Sequence, residues 1–373
     1  MISTAQIIAE LKKHELLIEA INTDPLKEYS GIQTDSKSIK KGFVFVCIFG
    51  FIVDGHDYAK IAVKEGAELL VVERELEIDI PQIVVLNARK ATAILAALFF
   101  DDPSKKLKII GITGTNGKTT IANILEQILL GNGKNVGLIG TLGYSINGVI
   151  YKSDRTTPDI LDLNTIFCKM IDENVEFVIM EVSSHALSLD RTFAIHFHTA
   201  VFSNLTQDHL DFHVSLNEYA KTKFKLFENA DIGFINIDDE HGERLYKKCS
   251  FTKYGISFVE GEVKIGKHDY SISGSNFKIN FEGREFQLKI KLIGKYNIFN
   301  TATAFSIALN LLGKSSSKQI IKSIASIDCI PGRLQQVVTD RSIGIYVDYA
   351  HTPDALQNVL ETLNKIKEEK MIC

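Results

Sequence analysis

Thr113-Gly-Thr-Asn-Gly-Lys-Thr-Thr120 holds the residue types that cradle a phosphate. Glycines let backbone N–H groups close on phosphate oxygens, and a helix opening at the same point adds partial positive charge. Lys118 would reach the β- and γ-phosphates, and the Thr119 hydroxyl would hold Mg²⁺. The pattern G-x-x-x-x-G-K-[ST] is not met to the letter, because the residue five before Gly117 is Ile112. Two further polar clusters carry acids, histidines and hydroxyls: Glu181-Val-Ser-Ser-His185 and Asn204-Leu-Thr-Gln-Asp-His-Leu-Asp-Phe-His213.

The flanking residues must position this chemistry. Leu107 to Ile112 is an apolar run that reads as a buried strand, and Ile121, Ile124, Leu125, Ile128 and Leu129 recur on one helix face. An ordinary βα turn with a surface lysine is the bland reading. It does not account for strand, glycines, Lys-Thr and helix falling in register. Further apolar runs at Val136–Ile139, Glu176–Glu181, Thr199–Asn204 and Ile232–Ile237, with helical stretches between, predict βαβ units on a parallel sheet. Ligands collect at the carboxyl ends of such strands, where the polar clusters lie. Alternation over residues 253–293 predicts an antiparallel subsheet, followed by a helix with Ile298, Ala302, Phe305 and Leu309 on one face.

An N-terminal unit precedes this core, with strands at Phe43–Phe49, Glu68–Val72 and Ile83–Leu86 and helices at Ala59–Glu65 and Ala91–Phe100. Thr34-Asp-Ser-Lys37 and Val53-Asp-Gly-His-Asp57 read as turns. At the far end, strand Ile343–Asp348 leads through Tyr349-Ala-His-Thr-Pro-Asp354 to a helix, and Met371-Ile-Cys373 looks like the start of another strand. The chain is thus α/β, with domains expected at 1–105, 106–334 and 335–373, the last only begun.

Composition excludes several classes. The 373 residues carry a net charge of −4 and 45% hydrophobic side chains. That balance argues against a general nucleic-acid binder. Five scattered cysteines without Cys-x-x-Cys spacing give neither a disulfide framework nor a zinc site, and most are expected to be buried thiols. There is no signal-peptide core and no run of 18 apolar residues. A cytoplasmic protein without membrane insertion is expected.

Five motifs in order, Thr113–Thr120, Met180–Leu187, Asn204–His213, Gly332-Arg333 and Val347–Leu356, resemble the Mur ligases. Within that family the chain is most similar to the members that add the third residue of the peptidoglycan stem peptide. The resemblance implies a three-domain architecture: a domain for the UDP-linked substrate, a central P-loop ATPase domain, and a Rossmann-like C-terminal domain. It implies an ATP-dependent ligase joining a diamino acid to the D-glutamate γ-carboxylate of UDP-N-acetylmuramoyl-L-alanyl-D-glutamate through an acyl phosphate. A monomer is expected.

Residue by residue, the resemblance assigns Gly114, Thr115, Asn116, Gly117, Lys118, Thr119 and Thr120 to ATP. Asn300, Arg333 and Asp348 fall around adenine, phosphates and ribose, with Tyr349 and His351 as further candidates. Thr119 and Glu181 match the positions for one Mg²⁺, and His209 a ligand of a second. Lys223, flanked by Lys221 and Lys225, matches a lysine carbamylated by CO₂, which turns a cation into an anionic oxygen donor. Ser36 matches a serine near the uridine, and Phe51-Ile-Val53 occupies a contact loop but is unusually apolar. Thr156 and Thr157 match the loop that meets the peptide, and Ser183 and Arg191 positions that meet its carboxylates. Leu189 stands where some members carry glutamine. His185, His196, His198 and His213 are expected to be structural.

Two other readings stay open. One is a different ligase of the superfamily, of the folylpolyglutamate synthase type, which the N-terminal unit disfavours. The other is a nucleotide-binding module without turnover. The family's Asp-Asn-Pro-Arg selectivity motif does not occur in the sequence. The amine is therefore open between meso-diaminopimelate and L-lysine, with the first preferred, and this chain alone is not expected to complete turnover.

Overall fold

The computed structural model describes residues 1–50, 52–207, 215–337 and 343–373. They divide into two compact units. The first gathers Met1–Leu107 with Pro158–Asp172 and His185–His196. The second holds Lys108–Thr157, Glu173–Ser184 and Phe197–Cys373.

The first unit is built on a five-stranded sheet in the order Leu17–Ile21, Gln82–Val85, Ala67–Val72, Phe43–Val46, Gly31–Gln33. The last four strands are parallel. Leu69–Val72 and Val44–Val46 are buried without interruption, as strands covered on both faces must be. Helix Ala88–Phe99 is capped by the Asn87 side chain, which accepts from Lys90 N at 2.9 Å, and packs against helix Ile160–Asp172.

The strand expected over Phe43–Phe49 stops at Val46. Beyond it the chain turns back on itself, with Gly55 N donating to Ile48 O at 2.9 Å and Gly50 N to Val53 O at 3.0 Å. Buried groups fix the base of this loop. Glu73 N donates to His56 Nε2 at 3.0 Å, so the imidazole proton sits on Nδ1, 2.5 Å from Asp54 Oδ1. Burial alone would raise the Asp54 carboxyl. Hydrogen bonds from Arg74 and from the backbone and ring of His56 instead hold it well below the usual carboxylate range.

The second unit carries an eleven-stranded sheet among the described residues. Its order is Val149–Tyr151, Gly143–Ile146, Val136–Gly140, Phe177–Glu181, Lys108–Thr113, Phe197–Phe202, Ala230–Asn236, Thr252–Ser257, Val263–Ser271, Gly274–Phe281, Arg284–Ile290. Pairing is parallel from Val136–Gly140 to the start of Val263–Ser271 and antiparallel at both ends. The alternating 253–293 segment therefore extends the main sheet instead of forming a separate one, and its first strand, Thr252–Ser257, pairs parallel, against the antiparallel expectation. Its end is covered by helix Lys295–Leu312, where Ile298, Ala302, Phe305 and Leu309 are buried.

Helix Lys118–Gly131 buries Ile121, Ile124, Leu125, Ile128 and Leu129 completely, each burial stabilising by about 1.5–3 kcal/mol. The hairpin Gly143–Ile146/Val149–Tyr151 was not anticipated. Its turn, Asn147-Gly148, has φ of +50° and +84°, the geometry for which Asn-Gly is a strong signal.

At the far end, Gln335–Val337 pairs antiparallel with Ile345–Val347, and helix Pro353–Ile366 follows a Thr352 cap. Residues 371–373, expected to begin a strand, have no regular structure. All five cysteines are free, but only Cys47 is buried. Cys329 and Cys373 are exposed. Among the described residues no helix is long and apolar enough to cross a membrane.

Candidate active site

The phosphate loop is shaped by its neighbours as much as by its own glycines. Gly114 has φ +147°, and a Cβ on it would fall 2.0 Å from Ser203 Oγ. Gly117 has φ +90°, and a Cβ there would sit 2.7 Å from Asn300 Oδ1. Only glycine meets both demands. The end of the adjacent strand holds the loop: Thr115 N donates to Asn204 O at 2.9 Å, and Asn116 N to Asn204 Oδ1 at 2.8 Å. Ser203 Oγ donates to Asn116 O at 2.6 Å, and Asn204 Nδ2 to the same oxygen at 3.0 Å. Ser203 and Gly140 were not singled out in the sequence, since neither matches a motif and only the fold sets them beside the loop and Glu181.

Lys118 curls over this loop, donating to Gly114 O and Thr115 O at 2.8 Å each. Thr119 and Thr120 are buried in the first helical turn. Thr119 Oγ1 donates to Glu181 Oε2 at 2.9 Å and accepts from Arg333 at 2.9 Å. Glu181, almost fully buried at the carboxyl end of its strand, also accepts from Thr141 N at 3.0 Å and Thr141 Oγ1 at 3.1 Å. A hydroxyl and a carboxylate, both hard oxygen donors on one point, fit Mg²⁺. Of the described residues, Thr119 and Glu181 would hold such an ion. His209 lies outside the described residues.

Of the three neighbouring lysines, Lys221 is exposed beside Glu218, Lys225 is exposed, and Lys223 is buried. Lys223 Nζ donates to Gly114 O at 2.9 Å and lies 4.4 Å from the Tyr219 ring centroid. Helix Leu216–Phe224 thus directs one lysine beneath the phosphate loop and leaves its neighbours in solvent.

Asn300 is buried against Gly117. One helical turn earlier, Asn297 donates from Nδ2 to Ile293 O at 2.9 Å, while its buried Oδ1 has no hydrogen-bond partner among the described residues. Asn297 was missed, although the Asn-x-x-Asn spacing puts both amides on one face. Asp348 accepts from Leu334 N at 2.6 Å and Ala350 N at 2.8 Å, leaving lone pairs for a further donor. Arg333 lies 5.2 Å from the Tyr349 ring centroid and reaches the loop through its bond to Thr119. Thr156 Oγ1 lies 3.4 Å from Thr141 Oγ1. Thr157 Oγ1 donates to Glu181 O at 2.9 Å and accepts from Ser183 N at 3.1 Å.

Ser36 and Arg191 belong to the first unit. There a pocket of about 350 Å³ is lined by Thr34, Asp35, Arg89, Asp159, Leu189 and Arg191, among others. Arg191 Nε pairs with Asp159 at 2.7 Å. Ser36 is buried, and its neighbours Asp35 and Ser38 form the wall. Ile52 and Val53 are exposed, while Phe51 lies outside the described residues.

Three family models match the chain: "Mur ligase family, catalytic domain" over 28–100, "Mur ligase middle domain" over 112–308, and "Mur ligase, glutamate ligase domain" over 332–373. The chain is 41% identical over 355 residues to the UDP-N-acetylmuramoyl-L-alanyl-D-glutamate–2,6-diaminopimelate ligase of Clostridium botulinum, covering 93% of this chain and 73% of that protein. To the ligase of the same name from Clostridium perfringens it is 40% identical, covering 95% and 74%. A solved structure of a ligase of this name superposes with a TM-score of 0.83 at 26% identity, covering 98% of this chain and 74% of the other.

Proposed function

The chain belongs to the Mur ligase family, and from that premise we propose that it is the ATP-dependent ligase adding 2,6-diaminopimelate to UDP-N-acetylmuramoyl-L-alanyl-D-glutamate in peptidoglycan synthesis. The observation that carries this reading is the 41% identity, over 355 residues, to a ligase of that name. The relatives' names also favour diaminopimelate over L-lysine, a choice the motifs leave open.

In this reaction the D-glutamate γ-carboxylate attacks the γ-phosphorus of ATP, forming an acyl phosphate and releasing ADP. The amine then attacks the acyl carbon, and the tetrahedral intermediate expels phosphate to leave the amide. Catalysis is chiefly positioning and neutralisation of converging negative charge. The N–H groups of 117–120, at the start of the helix, and the Lys118 ammonium would hold the β- and γ-phosphates, and Arg333 would share that charge. Mg²⁺, held by Thr119 and Glu181, would supply further neutralisation when bound.

Carbamylation of Lys223 is part of the proposal. The neutral amine attacks CO₂, loses a proton and becomes an anionic carbamate, and burial favours the neutral amine that this requires. The support is that Lys223 alone of the three lysines is buried. Protein equilibrated with ¹³C-bicarbonate is expected to show a carbamate carbon resonance that Lys223→Ala removes and Lys221→Ala and Lys225→Ala retain. A resonance surviving Lys223→Ala would remove the assignment.

The substrate is tested by calorimetric titration with UDP-N-acetylmuramoyl-L-alanyl-D-glutamate and, in parallel, the compound lacking D-glutamate. Saturable binding at least tenfold weaker without the glutamate is expected. A folded chain that binds ATP but neither compound would reduce the assignment to a nucleotide-binding member of the family.

A further inference from the structure

Helix Pro353–Ile366 is tied to the phosphate loop by a side-chain pair, Asn116 Nδ2 donating to Asp354 Oδ2 at 3.0 Å. The backbone of Asn116 has no freedom to choose partners. Its N–H is held by Asn204 Oδ1, and its carbonyl by Ser203 Oγ and Asn204 Nδ2. Only the side chain can exchange one partner for another. Asp354 is fixed from the other side, following Pro353 and the capping Thr352 in the first turn of its helix. That helix seats closely: a Cβ on Gly294 would fall 2.8 Å from Thr362 Cγ2.

A carboxylate is therefore positioned on the loop whose N–H groups and Lys118 suit a triphosphate. The two are like charges on one small loop, and a phosphate chain raises the cost of keeping the carboxylate there. An acid in a first helical turn has an ordinary use in complementing the helix dipole. That use does not require it to bond a residue 238 positions away in the phosphate loop.

We propose that Asp354 is a positioning residue that acts through Asn116. Its carboxylate holds the loop in the hydrogen-bond pattern described above and opposes the arrival of a triphosphate. Nucleotide binding and the seating of helix Pro353–Ile366 are thereby coupled, since one loosens the contact that the other makes. The inference rests on the reading of 113–120 as an ATP site.

The test is calorimetric titration of the wild-type chain, Asp354→Asn and Asp354→Ala with ATP–Mg²⁺ and separately with AMP. Both variants are expected to bind ATP about three- to tenfold more tightly at low salt, with AMP affinity changed less than twofold. The gain should shrink near 0.5 M salt, because exposed charges are screened beyond about 4–5 Å there. A purely structural role would move ATP and AMP together and would not respond to salt. Unchanged or weaker ATP binding by Asp354→Asn, at a wild-type melting temperature, overturns the proposal. Failure of the wild-type chain to bind ATP would instead overturn the nucleotide reading, and the inference with it.

Discussion

Lys118→Ala is expected to weaken ATP–Mg²⁺ binding about a hundredfold while shifting the melting temperature by no more than a few degrees. Among the described residues the lysine donates to two backbone carbonyls of its own loop, Gly114 O and Thr115 O. Such bonds contribute only about 1 kcal/mol each after exchange with water, and Gly114 O keeps the bond from Lys223 Nζ when the side chain is removed. A triphosphate changes the balance. Charge-assisted bonds to phosphate oxygens are worth about 1.5–3 kcal/mol each, and losing one or two of them corresponds to about 3 kcal/mol, or a hundredfold. Lys118→Arg should not restore binding, because a planar fork on a longer stem does not fit a loop that closes on a point charge. Titration of both variants with ATP–Mg²⁺ decides the matter. Alanine binding within threefold of wild type would remove Lys118 from the phosphate site.

The second large effect is expected at a residue with no side chain. A Cβ on Gly140 would lie 2.2 Å from Glu181 Oε1 and 2.9 Å from its Cδ, so Gly140→Ala must push the carboxylate away. Glu181 cannot leave without cost, since it is buried and accepts from Thr119 Oγ1, Thr141 N and Thr141 Oγ1. Displacing a buried, hydrogen-bonded carboxylate costs about 3–5 kcal/mol, and overpacking adds to it. A drop of roughly 6–20 °C in the melting temperature of the second unit follows, together with loss of the Mg²⁺-dependent part of ATP binding. Glu181→Gln separates the two consequences. It conserves volume, so it should lose the Mg²⁺ dependence with a smaller change in melting temperature. Gly140→Ala protein with wild-type stability and wild-type Mg²⁺ dependence would show that Glu181 does not occupy the position described.

The sequence by itself determined the parts whose physics is local. Gly114, Gly117, Lys118 and Thr119 lie within six residues of one another, and the 3.6-residue apolar period that follows sets the helix beginning at Lys118. The apolar runs that became the parallel strands were legible for the same reason, within one to three residues at their ends. The Asn147-Gly148 hairpin was equally local, and its signal was present although it was passed over. Cys329 and Cys373 show the opposite limit, because a residue type alone does not say which side of the surface it falls on.

Tertiary structure alone decided which distant residues meet. Glu181 reaches Thr119 because its strand pairs with Lys108–Thr113, the strand that leads into the helix of Thr119, not because of any spacing between 119 and 181. Lys223 could be told from Lys221 and Lys225 only when the helix Leu216–Phe224 had a buried side. Gly140 reads in the sequence as one more strand glycine, and its constraint exists only because Glu181 is packed against it. Asp354 reads as a helix-start acid, and its bond to Asn116 appears only when the helix is docked. In each case the deciding quantity is a through-space distance between segments far apart in the chain. Periodicity and residue type describe neighbours along the backbone, so they hold no record of such distances.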